Sequence, residues 1–167
     1  VGTAKGLDLF DRKNNKFTHF NFLDKFYSKD IFNCIKDLSS SRKRIGAILK
    51  VGNNADIVKT LDLKKRTTIL IVMIGEAGYD YGWLTDSEGN KLFDYDYKIT
   101  THAGGAVNNR MQLQLLTLDA GIYEMHYTSN YFYSYEDKFQ HNNSLDYEIR
   151  TGDPPELPDL WGIQVID

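Results

Sequence analysis

Over most of the chain hydrophobic and polar residues alternate with a period of two, the pattern of strands that have one dry and one wet face. In residues 122–128, Tyr123, Met125 and Tyr127 share one face, and Glu124, His126 and Thr128 share the other. The segment before it changes phase. Leu113 and Leu115 fall on one face and Leu116 and Leu118 on the opposite one, which predicts a bulge or a strand that passes from one sheet to another. Asp119-Ala120-Gly121 joins the two segments as a tight antiparallel hairpin, with Gly121 supplying the positive φ such a turn demands. Residues 67–74 form a continuous β-branched run, expected of a strand covered on both faces. Ile57, Lys59, Leu61 and Leu63 alternate with Val58, Thr60 and Asp62, as an edge or surface strand would. Residues 81–84 and 91–97 pair around a turn at Asp86-Ser87-Glu88-Gly89-Asn90, and residues 146–150 alternate with Leu145, Tyr147 and Ile149 inward. An extended loop over 152–158 precedes a last strand at 161–166. About eight strands at regular turn spacing over residues 57–167 predict an antiparallel β-sandwich of the jelly-roll kind.

The first third reads differently. Leu7, Leu9 and Phe17 alternate with polar residues about a turn at Lys13-Asn14-Asn15-Lys16, which predicts a hairpin within residues 1–24. Residues 25–56 then read as a helical linker. Ser28 is placed to cap a helix whose apolar stripe is Ile31, Cys34, Ile35 and Leu38. Ser39-Ser40-Ser41 breaks it, and Ile45, Ile48 and Leu49 suggest a second short helix ending at Gly52.

Composition narrows the role by exclusion. The formal net charge is −3, and the basic runs are short, at residues 41–44 and 64–66. That argues against a nucleic-acid partner, which leaves a clustered basic surface. No apolar run approaches the roughly 20 residues of a membrane span. A single cysteine, Cys34, excludes an internal disulfide and a cysteine metal cluster, and its place on the apolar stripe favours packing over reactivity. No cofactor or metal motif stands out; in particular there is no Asp-x-Asp-x-Asp spacing for calcium.

Gly2-Thr3, Gly6-Leu7, Phe10-Asp11, Phe17 and Phe20 stand in the spacing Gly-Thr-x-x-Gly-Leu-x-x-Phe-Asp-x-x-x-x-x-Phe-x-x-Phe. This resembles the repeat of the two-component regulator propeller, over about 20 residues. One repeat cannot close a propeller. The resemblance therefore implies that the chain, which starts at Val1 without a methionine, is a piece of a longer protein with the propeller upstream. A second set of motifs occurs in order: Gly75-Glu76, Asp80-Tyr81-Gly82-Trp83, Thr101-His102-Ala103-Gly104-Gly105-Ala106, Asn108-Asn109-Arg110, Ala120-Gly121-Ile122-Tyr123, Ser129 and Trp161-Gly162-Ile163. It resembles an uncharacterised bacterial β-sandwich domain of extracytoplasmic proteins, which implies a periplasmic or extracellular setting. Where those relatives read Ser-Asp-Asp-Ser-His-Ser, this chain has Ser129-Asn130-Tyr131-Phe132-Tyr133-Ser134. Two acids and a histidine are missing, which weighs against catalysis.

The candidate site is assembled from Glu76, Asp80, Trp83, His102, Gly104, Gly105, Asn109 and Arg110. Adjacent glycines permit close backbone approach, and exposed amides beside Arg110 suit a carboxylate or phosphate. The structural alternative, preferred on the sequence, is a wide loop crossing the sandwich end with Arg110 paired to an internal carboxylate, Glu76 and Asp80 lying nearest in the motif set. His102 is a candidate acid, base or ligand, though a lone histidine more often holds scaffold. The loop around Glu136-Asp137, with Tyr133, Tyr135 and Phe139, offers aromatic faces for sugar stacking or local packing. His126 and His141 have no second histidine at ligand spacing. Three functions remain open: a non-catalytic sensory module binding a small anionic or carbohydrate ligand; a glycan hydrolase or lyase using Glu76, Asp80 and His102; and a module that only spaces or homodimerises a receptor.

Overall fold

The computed structural model describes residues 2–3, 6–11, 16–21, 29–131, 135 and 154–167. The expected strand at 146–150, the loop around Glu136 and Asp137, His141 and the capping Ser28 lie outside the described residues.

β1 (Gly2–Thr3), β2 (Gly6–Asp11) and β3 (Lys16–Asn21) form a three-stranded antiparallel sheet. β2 and β3 pair from Gly6 with Asn21 to Asp11 with Lys16, the hairpin expected from the alternation. α1 (Lys29–Ser41) follows, with Ile31, Phe32 and Ile35 buried and Cys34 and Leu38 packed beside them.

The remaining strands are β4 (Arg44–Leu49), β5 (Asp56–Leu63), β6 (Thr67–Glu76), β7 (Tyr81–Thr85), β8 (Lys91–Phe93), β9 (Thr101–His102), β10 (Asn109–Leu118), β11 (Gly121–Thr128) and β12 (Gly162–Ile166). They make two antiparallel sheets, β4-β12-β6-β10-β9 and β5-β11-β7-β8. The pairings nest: β4 with β12, β5 with β11, β6 with β10, and β7 with β8. β12 also pairs with β6 and β11 with β7, so the long antiparallel ribbon is wound on itself into two layers. This is jelly-roll topology, as the strand spacing predicts.

β6 is the middle of the five-stranded sheet, and its residues from Ile69 to Glu76 are all buried. Ile69, Ile71 and Met73 face the other sheet and pack with Leu84, Met125, Tyr127, Ile163 and Val165. Leu70, Val72 and Ile74 face outward and are covered by Ile31, Phe32 and Ile35 of α1, together with Trp161. A continuous β-branched run therefore marks a strand between two layers. Burying one such aliphatic side chain contributes about 1.5–3 kcal/mol.

Three expectations change. Residues 44–49 are a strand of the sandwich, not a second helix. β4 is bulged: Val165 pairs with Gly46 and Ile166 with Arg44, so Ile45 is the extra residue. The bulge turns Ile45 to the inter-sheet side that Ile48 also occupies, a spacing of three that imitates a helix. Gly46 fits because a Cβ there would lie 2.5 Å from the Met125 sulfur.

Secondly, β10 and β11 are not a hairpin. They lie in different sheets, and the two residues between them turn the chain from one layer to the other. Gly121 is not at positive φ; the corner is tied by the Tyr123 hydroxyl donating to the Asp119 carbonyl at 3.0 Å. Thirdly, β10 has no bulge. Its register with β6 is unbroken over ten pairs. Met111, Leu113 and Leu115 meet the layer under α1, while Leu116 and Leu118 face the second sheet. The phase change records a strand that is apolar on both sides.

Candidate functional site

The end of the sandwich where β6 stops, β7 and β10 start and β11 stops gathers most of the residues singled out in the sequence. Gly75 is needed there for space. A Cβ on it would stand 2.0 Å from the Asp80 carbonyl oxygen and 2.7 Å from the Tyr127 hydroxyl, because the loop from β6 folds straight back. Tyr79 and Asp80 both donate their amides to the Glu76 carbonyl at 3.1 Å.

Glu76 and Asp80 are both buried, but on different sides of the five-stranded sheet. Glu76 continues the row of Leu70, Val72 and Ile74, and its Oε1 accepts from Asn108 Nδ2 at 3.4 Å. Asp80 is fully buried at the inter-sheet end, where its Oδ1 accepts the Asn130 amide at 3.2 Å. The Tyr127 hydroxyl donates to the Ile74 carbonyl at 2.9 Å. Burial pushes that hydroxyl well above the ordinary tyrosine range, and the negative charge of Asp80 adds to the shift.

The glycine-rich loop is closed on itself. Gly104 and Gly105 have φ of 85° and 68°, the left-handed region that β-carbons disfavour, so the turn requires glycine at both positions. The His102 ring sits inside the turn, with Nε2 2.9 Å from the Ala106 carbonyl and Nδ1 accepting the Gly104 amide at 3.2 Å. A carbonyl cannot donate, so Nε2 carries the proton and the ring serves as a strut. Asn109, fully buried, donates from Nδ2 to the Gly104 carbonyl at 2.8 Å.

Arg110 makes no ion pair with Glu76 or Asp80, contrary to the preferred sequence reading. It pairs with Gly75 on one neighbour and His102 on the other, so its side chain leaves the sheet on the face opposite to Glu76. There its guanidinium lies over the Tyr97 ring, 4.6 Å from the centroid, and Nη2 donates to the Tyr97 hydroxyl. Its Nε is buried and has no hydrogen-bond partner. Tyr97 belongs to a 3-10 turn at Tyr97–Ile99, capped by Asp96, whose Oδ1 accepts the Lys98 amide at 2.9 Å. Gln112 holds this strap against β10. Its Nε2 donates to the Asp94 carbonyl at 2.9 Å and its Oε1 accepts the Asp96 amide at 3.0 Å.

Trp83 is elsewhere, on the outer face of the four-stranded sheet. It stacks on His126 and carries Lys91 Nζ 5.3 Å from its ring centroid. Tyr81 neighbours Trp83 at 5.9 Å between centroids, and Tyr95 stacks on Tyr81 at 5.5 Å. Glu76, Asp80 and His102 thus do not converge on a shared cleft. Tyr81, Tyr95, Tyr97, Gln112 and His126 were not picked out as site residues in the sequence. Tyr95 and Tyr97, spaced by two after the buried Phe93, carry the signal: the same face of the chain runs from the core out to Arg110. A groove of about 290 Å³ between the end of α1 and residues 156–160, with Lys36, Arg44 and Asp159 in its walls, contains none of these residues. Among the described residues no cluster of three or more His, Cys, Asp or Glu side chains is placed to hold a metal ion.

No protein-family model matches this chain, and neither a curated protein nor a solved structure matches it.

Proposed function

We propose that the chain is a non-catalytic ligand-binding module of an extracytoplasmic, two-component-type signalling protein, and that it holds a small anionic ligand, such as a sugar acid, at Arg110. One observation carries the reading: a guanidinium at the end of the sandwich with a single hydrogen-bond partner, an aromatic ring, and a buried Nε that donates to nothing. A buried donor left unsatisfied costs roughly 1–3 kcal/mol, so such a group calls for a functional reason. The Nε and Nη edge of arginine is the fork that grips a carboxylate or phosphate with two parallel bonds. Tyr97 keeps the guanidinium flat and in place, and Gln112 fixes the strap that carries Tyr97.

The signalling context rests on the propeller-like repeat at residues 1–20, within which Gly6–Asp11 and Lys16–Asn21 pair as antiparallel strands, and on the motif resemblance over 57–167. A propeller earlier in the same polypeptide is the partner that this context implies. The hydrolase reading has no comparable support, because its two acids are buried apart and both nitrogens of its histidine are engaged by the loop.

The test is calorimetric titration of galacturonate, glucuronate and inorganic phosphate into the wild-type chain and Arg110→Ala. Saturable binding of at least one acid, lost in Arg110→Ala with little change in melting temperature, is the expected result. A large drop in melting temperature with no ligand bound by either protein would make Arg110 a structural residue.

A further inference from the structure

Gln164 is a fully buried amide in the middle of β12, on the side of the five-stranded sheet that α1 covers. An amide in such a layer costs free energy unless its ends are bonded. Its Oε1 accepts from Arg44 Nε at 2.9 Å, and its Nε2 donates to Ser39 Oγ at 2.9 Å. Arg44 and Ser39 both line the groove of about 290 Å³ between the end of α1 and residues 156–160. Gln164 thus fixes two polar groups of one wall from beneath. With Nε spent on Gln164, Arg44 is left with its Nη edge, which bonds to nothing among the described residues. Ser39 Oγ accepts from Gln164 and so keeps its own proton to donate. Lys36, exposed on the same wall, has no acid partner among the described residues. The facing wall is apolar at Leu157, Pro158 and Leu160. Of the two acids beside them, Asp159 is paired with Lys50 at 2.8 Å, and Glu156 stands at the exposed rim.

We infer that this groove is a second binding site, independent of Arg110, for a monocarboxylate with a compact apolar body. The Nη edge of Arg44 presents two parallel N–H donors to the two carboxylate oxygens, and Ser39 and Lys36 add a hydroxyl and an ammonium donor beside it. Leu157, Pro158 and Leu160 take the apolar body. The groove has roughly twice the volume of a cavity that holds benzene, which suits a ligand of about ten to twelve non-hydrogen atoms. Glu156 across the groove repels a second negative charge, which disfavours phosphate and dicarboxylates. A neutral ligand would leave Arg44 and Lys36 unanswered. Gln164 is a positioning residue, since it touches the ligand only through the two groups it holds.

Phenylpropionate, phenylpropanol, acetate and inorganic phosphate are titrated into the 167-residue chain and into Arg44→Gln, Lys36→Gln and Arg110→Ala. Phenylpropionate should bind saturably and at least about tenfold more tightly than the alcohol, the weight of one charge-assisted hydrogen bond. Acetate, which lacks the apolar body, should bind at least about tenfold more weakly than phenylpropionate. Arg44→Gln and Lys36→Gln should each weaken the acid about tenfold, and Arg110→Ala should leave it unchanged. Lys36 makes no bond to the described residues, so its variant keeps the test sound if Arg44→Gln is destabilised through Gln164. Acid and alcohol bound equally well, or phosphate bound as tightly as phenylpropionate, overturns the ligand class. Acid binding lost in Arg110→Ala but kept in the two groove variants moves the ligand to Arg110 and overturns the groove. Absence of phenylpropionate binding overturns the groove as well, and leaves the Arg110 reading to the acids that test it.

Discussion

Trp83 of β7 and His126 of β11 stack face to face, their ring centroids 4.8 Å apart and their planes 4° from parallel. They are directly opposed across the strand pair, on the outer face of the four-stranded sheet. Thr85 Oγ1 lies 3.3 Å from His126 Nε2, and Glu124 Oε2 lies 3.7 Å from it. A cross-strand aromatic pair of this kind contributes about 0.5–1.5 kcal/mol beyond its buried area. A double-mutant cycle with Trp83→Ala and His126→Ala, read by urea unfolding, should return a coupling of that size. Additive effects would show that the stacking carries no energy of its own.

Ile71 reaches no solvent and lies between the two sheets. Ile71→Asp would place a carboxylate there without a partner, at a cost of several kcal/mol. Loss of the cooperative thermal transition is expected. A wild-type-like melting curve would contradict the two-layer packing around β6.

α1 covers Leu70, Val72 and Ile74, so it belongs to the core rather than to a linker. A chain lacking residues 1–24 should therefore melt cooperatively. A chain lacking residues 1–43 should lose its cooperative transition and bind a hydrophobic dye, since the outer face of the five-stranded sheet is then bare. Equal stability of the two truncations would count against the covering role of the helix.

The buried hydroxyl of Tyr127 has its pKa raised, chiefly by desolvation and then by Asp80, and burial also raises Tyr95. Below the unfolded tyrosine value of about 10 both states are neutral, and the full stability is present. Above it the unfolded chain ionises while the folded chain holds its proton, so stability falls as pH rises. The midpoint of urea unfolding should drop steeply between about pH 10 and 12. Tyr127→Phe should flatten that drop, at the expense near neutral pH of about 0.5–1.5 kcal/mol for the bond to the Ile74 carbonyl. An alkaline drop unchanged in the variant would assign the effect to other groups.

The period of two in residues 57–63 and 122–128, the continuous apolar run of β6 and the turn held by Asp86 were legible from residue order alone. Alternation and turn chemistry are local, and they are decided within a few residues. Asp86 illustrates this: its Oδ1 accepts the amides of Glu88 and Asn90 at 2.9 Å, so the turn is written in five consecutive residues. The stripe on α1 was equally plain, because helical spacing depends only on neighbours three and four apart.

What the sequence did not carry was which surfaces meet. Residues 44–49 looked helical because a bulge, set by pairing with β12 over a hundred residues away, places Ile45 and Ile48 on one side. β10 and β11 looked like a hairpin because each alternates well, but each finds its partners in a different sheet. At the site, the residue types Arg110, His102, Glu76 and Asp80 were visible, and their relation was not. Whether Arg110 reaches Glu76 depends on the face from which it leaves β10, and the register against Gly75 and His102 turns it toward Tyr97 instead. Local order determined the elements of this protein. Long-range pairing, where a shift of one residue moves every side chain to the opposite face, decided which charges are paired and which rings line up.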